Sequence, residues 1–261
     1  MAFNKNELIL DKVRSLVAHD LETGKMLFRL TSLEDPTLSC TAEGEEVTDA
    51  IGSVITTLYR AKRATFGATN SLISLDLAAA QYGTTKVVGE ENNEIVDYTY
   101  DILTIADGKV QLKNAPADAN AIKYIYSIEN NDIGTAYTAA TEASDTSFAI
   151  SDSGEITVPT GLTGKVYVEY TYKATNAVKI TNRASEFPAA CSVVIYAYFK
   201  DKCNENLVYS GKIICPKAKL NPEQVELALT STGKHSFEFT MMKDYCAEEG
   251  EDELFSIIVA Q

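Results

Sequence analysis

At 261 residues with a net charge of −14 and a pI near 4.6, the chain is long enough for one large domain or two ordinary ones. It is too acidic for a surface that grips nucleic-acid phosphates. Its 14 tyrosines and 9 phenylalanines, with no tryptophan and frequent Thr, Val and Ile, tilt the composition toward β structure.

In chain order, two strands are predicted around residues 12–18 and 25–33, joined by a turn at Glu22-Thr23-Gly24-Lys25, after which Ser32 to Pro36 leaves the sheet. Residues 39–48, SCTAEGEEVT, are acidic and weakly apolar, which suits a long exposed hairpin arm ending at the turn Asp49 to Gly52. The stretch Asp49 to Gly83 organises the rest. Val54 to Tyr59 is β-branched and aromatic; with Ala64-Thr65-Phe66 it makes one long strand, or two broken at the basic cluster Arg60, Lys62, Arg63. Next comes a helix capped by Asn70 or Ser71 and ended by Gly83. Its apolar stripe is formed by Leu72, Leu75 and Ala79 with Ile73, Leu77 and Ala80.

From Val87 the texture changes to short runs separated by turn residues. Strands are predicted near 95–104, 109–113, 121–128, 135–139, 146–150, 155–158 and 164–172, the spacing of a β-sandwich. In the last of these Val166, Val168, Tyr170 and Tyr172 alternate with polar residues, so one face is buried and the other wet. Residues 87–178 hold 14 Asp and Glu against 5 Lys and Arg, a net of −9. The expected organisation is therefore a discontinuous domain, 1–86 with 179–261, interrupted by an acidic immunoglobulin-like sandwich at 87–178.

Beyond the insert, Cys191 to Phe199 is apolar on both faces and predicts an inner strand covered on each side. Leu207 to Cys215 follows in two short pieces, and Pro216 is expected to end the pairing. Further strands are predicted at Gln224 to Thr230, with Val225, Leu227 and Leu229 on one side, and at Ser236 to Met241. A last strand at Leu254 to Val259 is expected to pair with its predecessor across an acidic turn at Lys243 to Glu253.

No metalloprotease, nucleophile-elbow, phosphate-loop, dinucleotide or EF-hand motif occurs. The two histidines, His19 and His235, each sit alone on a strand, which fits a packed or surface residue rather than a general base. Glu248 to Glu253 is acidic without calcium-ligand spacing and reads as a solvated run. The chain is thus expected to be no enzyme, with no catalytic residue, metal or cofactor. Arg60, Lys62 and Arg63 are too few to hold a duplex and are expected to pair with acidic groups of a neighbouring subunit. Five cysteines without CxxC spacing predict free thiols, with Cys40, Cys191 and Cys215 in the core and Cys203 and Cys246 in polar turns. An inter-subunit disulfide is the alternative. No apolar run reaches the ~18–20 residues of a membrane helix, and the N-terminus lacks signal-peptide order, so synthesis and folding in a cytoplasm are expected.

The turn Asp49 to Gly52, the strand into AKRATFGATNSL (Ala61 to Leu72), the helix ending AAAQYG (Ala78 to Gly83), YSGKIICPKAKL (Tyr209 to Leu220) and the ending DELFSIIVA (Asp252 to Ala260) together resemble the tail tube proteins of long-tailed bacteriophages. The resemblance covers about residues 1–86 and 179–261. It implies a mainly β fold, a tail-tube-type β-sandwich or barrel with one α-helix, plus the inserted immunoglobulin-like sandwich. It also implies a structural virion protein whose hexameric rings stack into a tube, the conduit for DNA ejection. The implied partners are further copies of the chain, a sheath or terminator protein, the baseplate, and genomic DNA passing without sequence-specific binding. Glu43, Glu45, Glu46, Asp49, Arg60, Lys62 and Arg63 are then the candidate assembly residues, with Leu72, Ile73, Leu75 and Leu77 packing the helix. The alternative is a capsid decoration or adhesin-like protein that uses its acidic insert to bind a surface partner or glycan.

Overall fold

A computed structural model describes residues 7–118, 120–204, 206–223, 225–229, 233–244 and 252–260. Along them run β1 (Leu8–Asp20), β2 (Met26–Leu30), β3 (Leu33–Thr48), β4 (Val54–Asn70), α1 (Leu75–Tyr82), β5 (Val87–Val88), β6 (Ile95–Thr104), β7 (Lys109–Gln111), β8 (Tyr124–Glu129), β9 (Asp132–Ala139), β10 (Ser147–Ile150), β11 (Glu155–Thr157), β12 (Lys165–Ala174), β13 (Val178–Lys179), β14 (Ala190–Asp201), β15 (Val208–Leu220), β16 (His235–Met241) and β17 (Ser256–Ala260). Two compact units result: Met1–Lys86 with Ile180–Gln261, and Val87–Lys179.

In the first unit one antiparallel sheet has the order β2-β1-β14-β15-β16-β4-β3, with β17 also on β15. The sheet curls until β3 approaches β1, a nearly closed barrel-like arrangement that leaves few strand edges to protect. Its core gathers alternate residues of successive strands, among them Leu16, Phe28, Phe66, Ile195, Phe237 and Phe239. On β14 the inward residues Cys191, Val193, Ile195 and Ala197 are buried, while Val194, Tyr196 and Tyr198 stay half-buried. The strand lies inside the sheet but is fully covered on one face only, contrary to the apolar pattern of both its faces.

Pro216 does not end a strand. β15 runs through it to Leu220, and the register against β14 shifts there, between the pairs Val193↔Cys215 and Cys191↔Ala218. The extra residue flips the parity of the strand. Inward positions change from Tyr209 and Cys215 to Ala218 and Leu220, so Lys217 and Lys219 are kept out of the core. The opposite edge changes partner at the same place: β17 pairs as far as Ile214 and β16 begins at Ala218. A residue without an N–H is tolerated at this gap in the ladder. The final strand thus pairs with β15 rather than with β16.

Similarly, Ser32 to Pro36 does not leave the sheet. Asp35 adopts φ 48° and the register slips between Glu34 and Thr37, a bulge that accommodates Pro36 within β3. Among residues 224–230, positions 224 and 230 lie outside the described set; the others form only the isolated bridge Leu227↔His235, and Leu229 is exposed. The acidic run Glu248 to Glu253 lies outside the described residues as far as residue 251, as does Cys246. Cys191 and Cys215 are buried, and burial pushes their thiols up to about 11 and about 12. Cys40 is exposed, not in the core, and like Cys203 carries a free thiol.

The helix starts later than its sequence predicts. Asn70 is still the last residue of β4 and pairs with His235. Ser74 is the cap, its hydroxyl accepting from the Leu77 N–H at 3.3 Å. Gly83 ends the helix in the left-handed region at φ 68°, where its N–H donates to Ala80 O at 3.2 Å. The helix buries Leu77, Ala78, Ala79 and Gln81, whereas Leu72, Ile73 and Leu75 are exposed. Of the predicted packing stripe, Leu77 alone of these four enters the core.

The second unit follows the path β6-β12-β8-β9-β10-β11-β7, antiparallel except for β9 with β10. Its strands fall within a few residues of those predicted, because turn chemistry marks them. Asp107-Gly108 and Asn130-Asn131 all have positive φ, the conformation that joins two strands through a two-residue turn. Val166, Val168 and Tyr170 are fully buried against Ile125, Phe148 and Ile156. Val88 pairs with Val178 and Val87 with Lys179, so the chain enters and leaves this unit side by side.

Candidate assembly surfaces

The longest strands of the first unit overrun its core. On β4 the residues Ala64, Phe66, Ala68 and Asn70 are buried in alternation, but from Val54 to Arg63 nearly every side chain is exposed. β3 behaves alike, with Leu33 and Leu38 half-buried and residues 39–48 exposed. Beyond Cys40↔Ala64 the hairpin therefore continues as a two-stranded ribbon with neither face covered. Such a ribbon is marginally stable alone in water. It nevertheless presents Val54, Ile55, Leu58 and Tyr59, with Ile51 at its tip 87% exposed.

Each predicted assembly residue has a place in this ribbon. The Asp49 carboxylate accepts from the Ile51 N–H at 3.0 Å and the Ser53 N–H at 2.8 Å, so it builds the turn rather than offering a free charge. Arg60 pairs with Glu45 at 3.3 Å and Arg63 with Glu43 at 3.8 Å. These acidic partners come from the same hairpin, and all four side chains are largely exposed. Each pair contributes at most ~1 kcal/mol. Ala61, at φ 50°, and Lys62 together face Ala42, a bulge between the pairs Thr41↔Arg63 and Glu43↔Arg60 that adds local twist to the ribbon. The strand is continuous, and the basic cluster marks a bulge within it rather than a break. Glu46 lies opposite Thr57.

What sequence reasoning missed is the apolar side of the arm. Val54 to Tyr59 has the composition of a covered strand, yet its partner is the acidic Glu43 to Thr48 segment, too polar to sit under a second layer. That pairing is the signal that locates the exposed run. Gly44 lies opposite Tyr59, and a Cβ there would stand 3.3 Å from the Tyr59 ring. The tyrosine therefore covers the glycine's bare backbone.

Further apolar exposure lies at Ile9 and Leu10 on β1, Val208 on β15, and Ile257 and Ile258 on β17. β17 pairs only with β15, so its outer edge is open among the described residues. Open edges with exposed apolar residues are templates for pairing with another chain.

The interior polar chemistry is structural. His235 is fully buried; its Nε2 lies 2.5 Å from Gln81 Oε1, and its Nδ1 accepts from the Ser74 N–H at 3.4 Å. Gln81 Nε2 donates to Ser236 O at 3.0 Å, which fixes Oε1 as the acceptor and places the histidine proton on Nε2. Burial lowers the His235 pKa. The ring ties α1 to β16. A groove of about 350 Å³ beside α1 is lined by Phe28, Ala79, Ala80 and Cys191, and its titratable groups are Asp20, Asp76, Lys86 and that buried thiol. Asp76 and Lys86 pair with each other at 2.5 Å. Among the described residues no group of three or more His, Cys, Asp or Glu is placed to hold a metal ion, and no helix is long and apolar enough to cross a membrane.

Residues 8–251 match the family model described as the YomU/Tube protein family. No curated protein matches the sequence.

Proposed function

We propose, from the chain's membership of the YomU/Tube protein family, a phage tube-type family, that it is a structural component of the virion tail that assembles into hexameric rings, and that the rings stack into the tail tube through which DNA is ejected. The observation that carries this reading is the β3–β4 ribbon. It extends past the core with apolar residues on uncovered faces, a cost in water that contact with another copy removes. In this reading the ribbon reaches the adjacent ring. The open edge of β17 and the exposed residues of β1 form the joint between neighbours in a ring, and sheet closure across subunits removes the last free edges. The unit Val87–Lys179 is an immunoglobulin-like decoration on the outside of the tube. Its ends pair as β5 and β13, as an insertion into a host domain requires. Further partners are the sheath or terminator protein and the baseplate. Synthesis takes place in the host cytoplasm, and the protein needs no catalytic group for this work.

The test shortens the ribbon in register. Glu45 lies opposite Leu58, so replacing Glu46–Thr57 by an asparagine–glycine turn keeps the remaining pairs. Negative-stain microscopy and sedimentation velocity of the purified variant should show sixfold rings without long tubes. Tubes of the parent's length would refute the stacking role, and absence of sixfold symmetry in the parent would refute the ring.

A further inference from the structure

The outer face of the second unit's sheet carries more aromatic surface than its packing requires. β12 buries Val166, Val168 and Tyr170 and turns Tyr167, Glu169 and Thr171 the other way. The register sets Ile102, Tyr100 and Tyr98 of β6 opposite these three, and Tyr126 of β8 opposite Tyr167 on its other side. The rings form a continuous strip: Tyr100 to Tyr167 at 5.4 Å, Tyr167 to Tyr126 at 6.3 Å and Tyr126 to Tyr124 at 6.4 Å between centroids. Tyr98, Tyr100 and Tyr124 remain 64%, 59% and 48% exposed. A strip of this kind on a sheet that already has a complete core on its other face marks an interaction site.

At its centre stands one carboxylate. Glu169 accepts from the Tyr167 hydroxyl at 2.6 Å and from the Tyr98 hydroxyl at 2.5 Å. These two bonds, Tyr167 first, hold its pKa below the ordinary range, and they fix the tilt of both rings. A groove of about 420 Å³ runs alongside, lined by Tyr98, Tyr124, Tyr126, Glu169, Asn120 and Lys123. Among the described residues the side chains of Asn120 and Lys123 and the hydroxyls of Tyr124 and Tyr126 make no hydrogen bond or ion pair. The groove thus offers flat apolar ring faces edged by unused donors and acceptors.

That combination selects a ligand class. The net charge of −9 over residues 87–178 repels nucleic acid. A protein partner calls for a charge-depleted centre with apolar anchors, and this strip has a carboxylate there. Both oxygens of that carboxylate already accept hydrogen bonds, so a bare cation gains little. A pyranose has what the face lacks: an apolar C–H side to lie on a ring, and equatorial hydroxyls to reach the amide, ammonium and phenol groups at the rim. We propose that this face binds a neutral, pyranose-rich polysaccharide, with sugar rings stacked on Tyr98 and Tyr124, whose tilt Glu169 helps to fix, and sugar hydroxyls bonded to Asn120 and Lys123 at the rim.

The experiment applies the full-length protein to an array of neutral hexose and N-acetylhexosamine oligosaccharides, then titrates the strongest array ligand by calorimetry. The parent should bind. Tyr98→Ala and Tyr124→Ala should each weaken the affinity about tenfold, the loss of one aromatic stacking contact, whereas Tyr59→Ala on the ribbon of the first unit should not change it. Both substituted tyrosines are exposed, so circular dichroism and thermal melting of the variants should match the parent. The proposal fails if no neutral saccharide binds at millimolar concentration. It also fails if the double variant binds as the parent does. A third outcome, in which the double variant binds no differently but loses self-association in sedimentation, would assign the face to contact between copies and overturn the glycan reading.

Discussion

Replacing His235 by glutamine should abolish one pH dependence of stability. His235 is fully buried, donates from Nε2 to Gln81 and accepts at Nδ1 from the Ser74 N–H. A second ring proton would point at that N–H, two donors facing each other in a dry interior. Burial accordingly lowers the folded pKa below the ordinary 6.5. The sign follows from proton counting: below pH 6.5 the unfolded chain binds a proton that the folded chain refuses. Stability therefore falls with pH from 6.5 down to the folded pKa, by at most about 1.4 kcal/mol per pH unit for one proton. For a unit of this size that is roughly 3–5 °C of melting temperature per pH unit. The carboxylates with resolved shifts are displaced downward, so their titration lies below this window. Scanning calorimetry between pH 7.5 and 5.0, following the transition of the unit that contains α1, should show the slope in the parent. His235→Gln should melt lower at pH 7, through the loss of a buried hydrogen bond worth ~1–3 kcal/mol, yet show no slope. A slope that survives the substitution would refute the assignment.

In the second unit, Asp101 is 2% exposed, accepts from the Lys113 N–H at 3.0 Å and the Tyr170 hydroxyl at 2.9 Å, and pairs with Lys113 Nζ at 2.9 Å. Burial opposes its ionisation, but the Lys113 and Tyr170 donors outweigh it and lower the pKa; its contribution is present above pH 3.8 and lost as pH falls through the folded value. Asp101→Asn should cost ~1–3 kcal/mol at neutral pH, measured by denaturant unfolding followed through tyrosine emission, and an unchanged midpoint would remove the charge from the account. Gly83→Ala should be worse than a helix-cap change alone. The residue sits at φ 68°, and a Cβ would overlap the Phe187 carbonyl and lie 2.8 Å from its nitrogen. A loss above ~1–2 kcal/mol is expected in a thermal melt, and a loss below that would mean that the segment carrying Phe187 moves aside.

The β class, most strand positions in both units, the hairpin arm and the glycine that ends the helix were legible in the sequence because each is a local property. Alternation of period two marks a strand, Asp107-Gly108 and Asn130-Asn131 mark turns, and Gly83 marks a left-handed cap. Partnership and layering are not local, and tertiary structure alone decided them. Pro216 is a strand breaker by sequence but a tolerated bulge where β15 changes neighbours. β17 joins β15 rather than its neighbour in sequence, β16, and nothing in its five residues names which edge is open. Arg60 and Arg63 find Glu45 and Glu43 across their own hairpin, a matter of register rather than composition. Val54 to Tyr59 and Tyr98, Tyr100 and Tyr124 have the same residue types as a core, and what distinguishes them is that no second layer among the described residues covers them. Whether an apolar strand face is covered depends on the whole fold, which is why the exposed apolar and aromatic strand faces were the ones the sequence concealed.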